Sequence, residues 1–154
     1  MKKLLIATRN PGKLFEISNF LSELPVQIVS LKDLNIIDEV KEDGRTYVEN
    51  SVKKAVFYAK KSGLPTIADD GGIEIDALDG APGVRSRRYF GKDGKEATDE
   101  EIIEAMKHLI KKLPANKLDA TFKVVITLAL PNGKTFSVDG EVRGILKEPH
   151  LKLL

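Results

Sequence analysis

An α/β fold with a mixed sheet is predicted by the order of patterns along these 154 residues. Three observations carry it: a short apolar run feeding a helix at the N-terminus, a second run-and-helix unit behind it, and a long period-two hairpin near the end. Lys3 to Thr8 reads as a strand that ends in a turn. Leu14, Ile17, Phe20, Leu21 and Leu24 then recur at helical spacing, with Asn10 as N-cap and Pro11 at the first helical position. Pro25 stops that helix, and Val26-Gln27-Ile28-Val29 is a second strand. A polar connection from Ile37 to Arg45 follows. Thr46-Tyr47-Val48-Glu49 has capping-box spacing, and Val48, Val52, Ala55, Val56 and Ala59 make an apolar stripe to about Lys61. Ser62-Gly63-Leu64-Pro65 closes the second helix. Thr66-Ile67-Ala68 is a short strand entering Asp69-Asp70-Gly71-Gly72, read as a turn, and Ile73 to Ile75 is a further strand. Gly80-Ala81-Pro82-Gly83 reads as a loop, leading into the basic run Arg85-Ser86-Arg87-Arg88-Tyr89. Thr98-Asp99-Glu100-Glu101 opens a helix to about Leu113. Phe122, Val124, Ile126, Leu128 and Leu130 alternate, Asn132-Gly133 predicts a type I′ turn, and Lys134 to Leu146 is the returning strand.

The length suits one domain, or one domain in two small lobes. Apolar residues are 42% and charged residues 31%, which is an ordinary globular composition. The net charge of +2 comes from interspersed Lys and Glu, so no basic stripe marks a nucleic-acid binder. Absence of Cys excludes disulfides and thiolate metal sites, and two His, His108 and His150, make no His-rich site. No run approaches the ~20 apolar residues that span a bilayer. No membrane partner is expected, and the expected location is the cytoplasm.

Four constellations carry chemistry. In the turn Thr8-Arg9-Asn10-Pro11-Gly12-Lys13, a strand delivers the chain to a helix N-terminus, where backbone N–H groups and the macrodipole favour an anion. Two readings are open there: a phosphate cradle, or a capped surface helix with a solvated Lys. Asp69-Asp70 ends a buried approach, and adjacent carboxylates on a strand point to opposite faces. One can face a ligand, hold Mg²⁺ and take a proton from an attacking water, while its neighbour anchors the turn. The acidic connection Asp38, Glu39, Glu42, Asp43 offers a second oxygen ligand, with Glu42 beside Gly44 the first choice, against a plain solvated loop. Arg85, Arg87 and Arg88 could clamp phosphate or sit on a wet basic loop. Of Lys53 and Lys54, one should face the ligand.

Together these segments resemble the inosine/xanthosine triphosphate pyrophosphatase family. The matching residues are Thr8-x-Asn10-x-x-Lys13-x-x-Glu16, Glu42-Asp43-Gly44-x-Thr46-Tyr47-x-Glu49-Asn50, Lys54-Ala55, Ala68-Asp69-Asp70-Gly71-Gly72 and Ala81-Pro82-Gly83-Val84-x-Ser86-x-Arg88-Tyr89. Order and spacing agree to about Pro149. The resemblance implies a twisted mixed sheet with flanking helices, in two lobes around a central cleft, and a homodimer. It implies Mg²⁺-dependent hydrolysis of ITP, dITP or XTP to monophosphate and pyrophosphate, by attack of water on the α-phosphorus. Asp70 matches the general base and a metal ligand, with Glu42 the second metal carboxylate and Glu39 the alternative. Thr8, Arg9, Asn10, Lys13, Lys54 and Arg88 match the substrate-binding segments. Gly71 stands where many members carry Ser. The family continues past this hairpin with a Phe-Gly-Tyr-Asp-Pro segment, a Lys and a Ser-His-Arg motif that read the base. Their absence from these residues implies an alternative, an impaired or inactive nucleotide-binding relative.

Overall fold

A computed structural model describes residues 1–92 and 95–148, so His150 and the closing Leu151-Lys152-Leu153-Leu154 lie outside the described residues. The chain forms two compact units, Met1–Asp70 with Val124–Asp139, and Gly71–Lys123 with the chain from Gly140 onward. The strands are β1 (Lys2–Ile6), β2 (Val26–Ser30), β3 (Thr66–Ile75), β4 (Asp119–Ala129) and β5 (Thr135–Ile145), and they form one sheet in the order β2-β1-β3-β4-β5. β3, β4 and β5 each pass from one unit to the other.

The first unit is organised by two crossovers. β1 runs parallel to β2, with Leu4 opposite Ile28, and parallel to β3, with Ile6 opposite Ile67. Helix α1 (Pro11–Phe20) joins β1 to β2, and helix α2 (Tyr47–Ser62) joins β2 to β3. The two steps across the sheet run in opposite directions. Right-handed connections therefore put α1 and α2 on opposite faces. The α2 face holds the core, where Ala55, Tyr58 and Ala59 meet Leu5, Ala7, Val29, Leu31, Ala68 and Ala129. Small residues on α2 let the helix sit close to the sheet. Thr46 caps α2 by accepting from the Glu49 amide at 3.1 Å, and Gly63 ends it in the left-handed region at φ +68°. The expected capping box is displaced by one residue, because Glu49 Oε2 accepts from the Arg45 amide at 2.7 Å.

Three local expectations are corrected. The two short strands predicted around Asp69-Asp70 are one ten-residue strand, so both carboxylates stand in mid-strand instead of in a turn. Gly71 and Gly72 continue the ladder without breaking it. The hairpin turn is not type I′: of Asn132 and Gly133, only Gly133 has positive φ, at +88°. The Gly133 amide donates to the Leu130 carbonyl at 2.8 Å and the Leu130 amide to the Lys134 carbonyl at 2.8 Å. Pro131 fits the first central position of such a three-residue loop. Finally, the helical stripe expected to reach Leu24 is cut short and not fully covered: α1 ends at Phe20, which is 90% exposed, and Leu24, 51% exposed, lies beyond it.

In the second unit, the segment after Pro82 is helical, so of the readings open for the basic run the solvated loop is not the one adopted. The segment forms a short 3₁₀ turn (Gly83–Arg85) continuing into helix α3 (Ser86–Tyr89). Ser86 ties it to β3, its hydroxyl donating to the Gly83 carbonyl at 2.6 Å and accepting from the Ile73 amide at 3.2 Å. Helix α4 (Asp99–Lys112) opens with the predicted capping box, both of its bonds being formed between Thr98 and Glu101. Arg143 on β5 grips Asp76 at 2.6 Å and 3.3 Å. That bidentate pair raises the Arg143 guanidinium pKa and holds the Asp76 carboxyl below its ordinary value, the hydrogen bond being the main cause in both. Among the described residues no helix is long and apolar enough to cross a membrane.

Thr98→Ala removes the acceptor that holds the first turn of α4. It is expected to lower the unfolding free energy by about 1 kcal/mol, read from the urea midpoint at unchanged slope.

Candidate active site

The site grows from the turn after β1. Asn10 Oδ1 accepts from the amides of Gly12, at 2.8 Å, and Lys13, at 3.2 Å, while the Asn10 carbonyl takes the Leu14 amide at 3.1 Å. Thr8 Oγ1 accepts from the Asn10 amide at 3.1 Å. Pro11 has no amide to offer. The first-turn donors are thus spent on capping, and the backbone half of the cradle reading is not what the turn provides. What it presents instead are side chains. With Oδ1 facing the helix, the Asn10 Nδ2 group is turned away from it as a donor, and the Thr8 hydroxyl still has its proton to give.

Lys13 is not a solvated surface lysine. Its Nζ lies 2.6 Å from Asp69 Oδ2, and the Asp69 side chain is only 8% exposed. Asp70, the next residue on β3, takes a different partner: Asn50 Nδ2 of α2 donates to its Oδ2 at 3.0 Å. The neighbours therefore address opposite helices, as strand alternation requires. Asn50 is 1% exposed, and its Oδ1 accepts from the Gly44 amide at 2.7 Å. One turn further along α2, Lys54 Nζ binds Glu42 Oε1 at 2.6 Å and the Asp69 carbonyl at 2.9 Å. Lys54 is thereby the helix lysine that faces the site, and Lys53 pairs with Asp43. Because one ammonium touches both, Glu42 is brought within two hydrogen-bond lengths of the β3 backbone at Asp69.

Arg9, expected among the substrate ligands, is engaged in holding the acidic connection. Its guanidinium donates to the carbonyls of Ile37 and Asp38, both at 2.9 Å, and lies 3.5 Å from Glu39. Glu39 is 78% exposed and Glu42 28%, so of the two metal candidates Glu42 is the one turned inward. Lys61 and Lys53 fasten the same connection through Asp38 and Asp43. The hydrogen bond from each lysine holds its carboxyl below the ordinary value. Gly71 follows Asp70 on β3, and Arg88 lies exposed on α3; both belong to the second unit. Thr8, Asn10 and Pro11 also border an open cavity of about 440 Å³ lined further by Leu14, Leu31 and Ile36. Among the described residues no group of three or more His, Asp or Glu forms a metal cage.

Sequence reasoning left two features unassigned. Asn50 entered the sequence reading only within the matching Glu49-Asn50 segment, with no role given; it lies four residues after the Thr46 cap and four before Lys54. The hydroxyl ladder behind it had no sequence signal: Ser51 Oγ donates to the Ala68 carbonyl at 3.2 Å and meets Thr127 Oγ1 at 2.8 Å, which meets Ser137 Oγ at 2.8 Å.

Comparison with known proteins places this arrangement. The family model described as the Ham1 family matches residues 4–152. The chain is 42% identical over 146 residues to the dITP/XTP pyrophosphatase of Geobacter sulfurreducens, covering 95% of this chain and 72% of that protein. It is 41% identical over 143 residues to the enzyme of that name from Syntrophobacter fumaroxidans, covering 93% of this chain and 60% of the relative. Among solved structures, a HAM1 protein from Coxiella burnetii superposes with TM-score 0.79 at 33% identity, covering 97% of this chain and 75% of that one. The nucleoside-triphosphatase, dITP/XTP pyrophosphatase from Mycobacterium abscessus gives TM-score 0.73 at 34% identity, over 95% and 75%. The chain thus spans between 60% and 75% of the length of these relatives.

Two outcomes follow from the geometry. Lys13→Ala leaves the Asp69 carboxylate without its ammonium, and stability is expected to fall by about 1–3 kcal/mol. A change near zero in the urea midpoint would place the pair with ordinary surface ion pairs. Asp38 and Asp43 have folded pKa values below the unfolded 3.8, so their contribution is present above that value and is lost as pH falls through the folded values. The melting temperature of Asp43→Asn is accordingly expected to converge on that of the parent only in this acid range.

Proposed function

The chain belongs to the Ham1 family, and on that footing we propose that it hydrolyses non-canonical purine nucleoside triphosphates, dITP, ITP and XTP, to the monophosphate and pyrophosphate. The observation that carries this reading is the division of labour on β3: Asp69 is committed to Lys13, whereas Asp70 is oriented by the neutral amide of Asn50. The Asn50 amide fixes where the Asp70 carboxylate points. The carboxylate can serve as the base that takes a proton from a water attacking phosphorus.

Phosphate binding falls to side chains in this reading. Lys13 and Lys54 supply positive charge, and Thr8 and Asn10 supply neutral donors at the positive end of α1. The lysines already rest on carboxylates and a carbonyl, so an arriving triphosphate exchanges one set of anionic partners for another. Lys13 needs no large movement to do so, being 40% exposed.

Mg²⁺ fits the donors present. Glu42 and Asp70 offer hard oxygen ligands, and Mg²⁺ commonly takes one or two carboxylates and fills its shell from phosphates and water. When bound, Mg²⁺ supplies neutralisation and polarisation of the phosphoryl oxygens. The inward Glu42, held by Lys54, is preferred to the exposed Glu39. On the family resemblance, Arg9, Gly71 and Arg88 are kept in the proposal as substrate-binding residues. The reading further includes a homodimer in the cytoplasm, on the family resemblance, and sedimentation velocity tests the dimer.

The deciding assay measures pyrophosphate release from dITP, ITP, XTP, ATP and GTP, with Mg²⁺ and with chelator. Mg²⁺-dependent release favouring the first three is expected. Equal rates on ITP and ATP would overturn the base selectivity. Tight binding of ITP with no pyrophosphate released would overturn the enzyme and leave a nucleotide-binding protein.

A further inference from the structure

The buried amide of Asn50 has a stronger constraint on it than packing. It sits on α2 at 1% exposure, where an unsatisfied amide would cost about 1–3 kcal/mol. Both of its ends are used, and their assignment is forced. The Gly44 amide can only donate, so Oδ1 must face it, at 2.7 Å; Nδ2 must then face Asp70, at 3.0 Å. The approach on the loop side is equally specific. A Cβ added to Gly44 would stand 2.6 Å from Asn50 Oδ1 and 2.9 Å from Glu49 Cβ, so only glycine brings this amide close enough. Glu42 lies two residues before Gly44 on the same connection. One side chain therefore ties the carboxylate on β3 to the loop that carries the other candidate oxygen ligand.

We propose that Asn50 is a positioning residue that locks the Asp70 carboxylate and the Glu42–Gly44 loop in register, so that the two oxygen ligands are presented together to a divalent cation and its triphosphate. The inference rests on the reading of Asp70 as base and metal ligand. Residue type at position 50 is decisive under it. Alanine removes both bonds. Aspartate keeps the shape and the acceptor for Gly44 but loses the donor, and sets a second carboxylate against Asp70. A merely structural Asn50 would be matched by its effect on stability alone, and would leave cation affinity untouched in the folded protein.

The test is a Mg²⁺ titration in the presence of the non-hydrolysable α,β-methylene analogue of ITP, on the parent chain and on Asn50→Ala, Asn50→Asp, Gly44→Ala and Asp70→Asn, together with kcat and KM for ITP. Mg²⁺ affinity is expected to fall about 10- to 100-fold in the Asn50 variants and in Gly44→Ala, the usual cost of losing a group that orients a metal-binding carboxylate. Analogue affinity in chelator is expected to stay at the parent value, and kcat to fall more than KM rises. If Asn50→Ala does not fold, Gly44→Ala on its half-buried loop carries the same test. Parent-like Mg²⁺ affinity in the folded Asn50 and Gly44 variants, with Asp70→Asn impaired, would overturn the positioning role alone. Parent-like affinity in Asp70→Asn as well, or no binding of the analogue to the parent chain, would overturn the reading beneath it.

Discussion

Two consecutive carboxylates stand buried in the middle of a sheet, and the first unit is arranged around keeping them there. Asp69 and Asp70 are 6% and 9% exposed on β3. A buried charge without partners is disfavoured by several kcal/mol, and strand alternation sends neighbours to opposite faces, so no single partner can serve both. The sheet needs one polar side chain from each covering helix. α1 supplies Lys13 and α2 supplies Asn50. The right-handed β-α-β-α-β path is what makes a helix available on each side.

α2 does its part by periodicity. Thr46, Asn50 and Lys54 are spaced four apart, which stacks them on one face. They cap the helix, hold Asp70 and bind Glu42 in succession. The adjoining stripe of Ala55, Tyr58 and Ala59 is apolar and holds the helix against the sheet. Tyr58 joins the two roles, since its ring lies in the core and its hydroxyl donates to the Asp38 carbonyl at 2.9 Å. Arg9 and Lys61 secure that same connection from the outside. The acidic loop is consequently anchored along most of its length, and Glu42 is delivered to β3 by a fastened segment.

The elements were legible in the sequence wherever a local rule sufficed. Asn10-Pro11, Thr46, Gly63 and Thr98-x-x-Glu101 mark helix ends by chemistry confined to one turn, and the structure places ends there. What was misread involved competition between local and non-local effects. Asp69-Asp70-Gly71-Gly72 has the composition of a turn, yet it runs on as the middle of β3, a strand paired with β1 at Thr66 and Ile67 and flanked by β4 in the sheet. The N-terminal amides of α1 looked available for an anion, but Asn10 uses them first. The partners Arg9 takes in this structure were not foreseen, since they lie 27 to 29 residues away where no spacing rule reaches. The role of Asn50 was hidden for the opposite reason: beside an apolar stripe a lone amide shows its purpose only once both of its partners are known.

The asymmetry between the two β3 carboxylates is the central claim, and a side-by-side comparison of Asp69→Asn and Asp70→Asn tests it most directly. Each change exchanges one oxygen for a nitrogen at almost constant volume. With ITP and Mg²⁺, Asp70→Asn is predicted to lose about 100-fold or more in kcat while melting as a folded protein. Asp69→Asn is predicted to keep turnover, with a weakened hold on Lys13 appearing as lower stability and an altered KM. Loss of turnover in Asp69→Asn with parent-like kcat in Asp70→Asn would contradict the account.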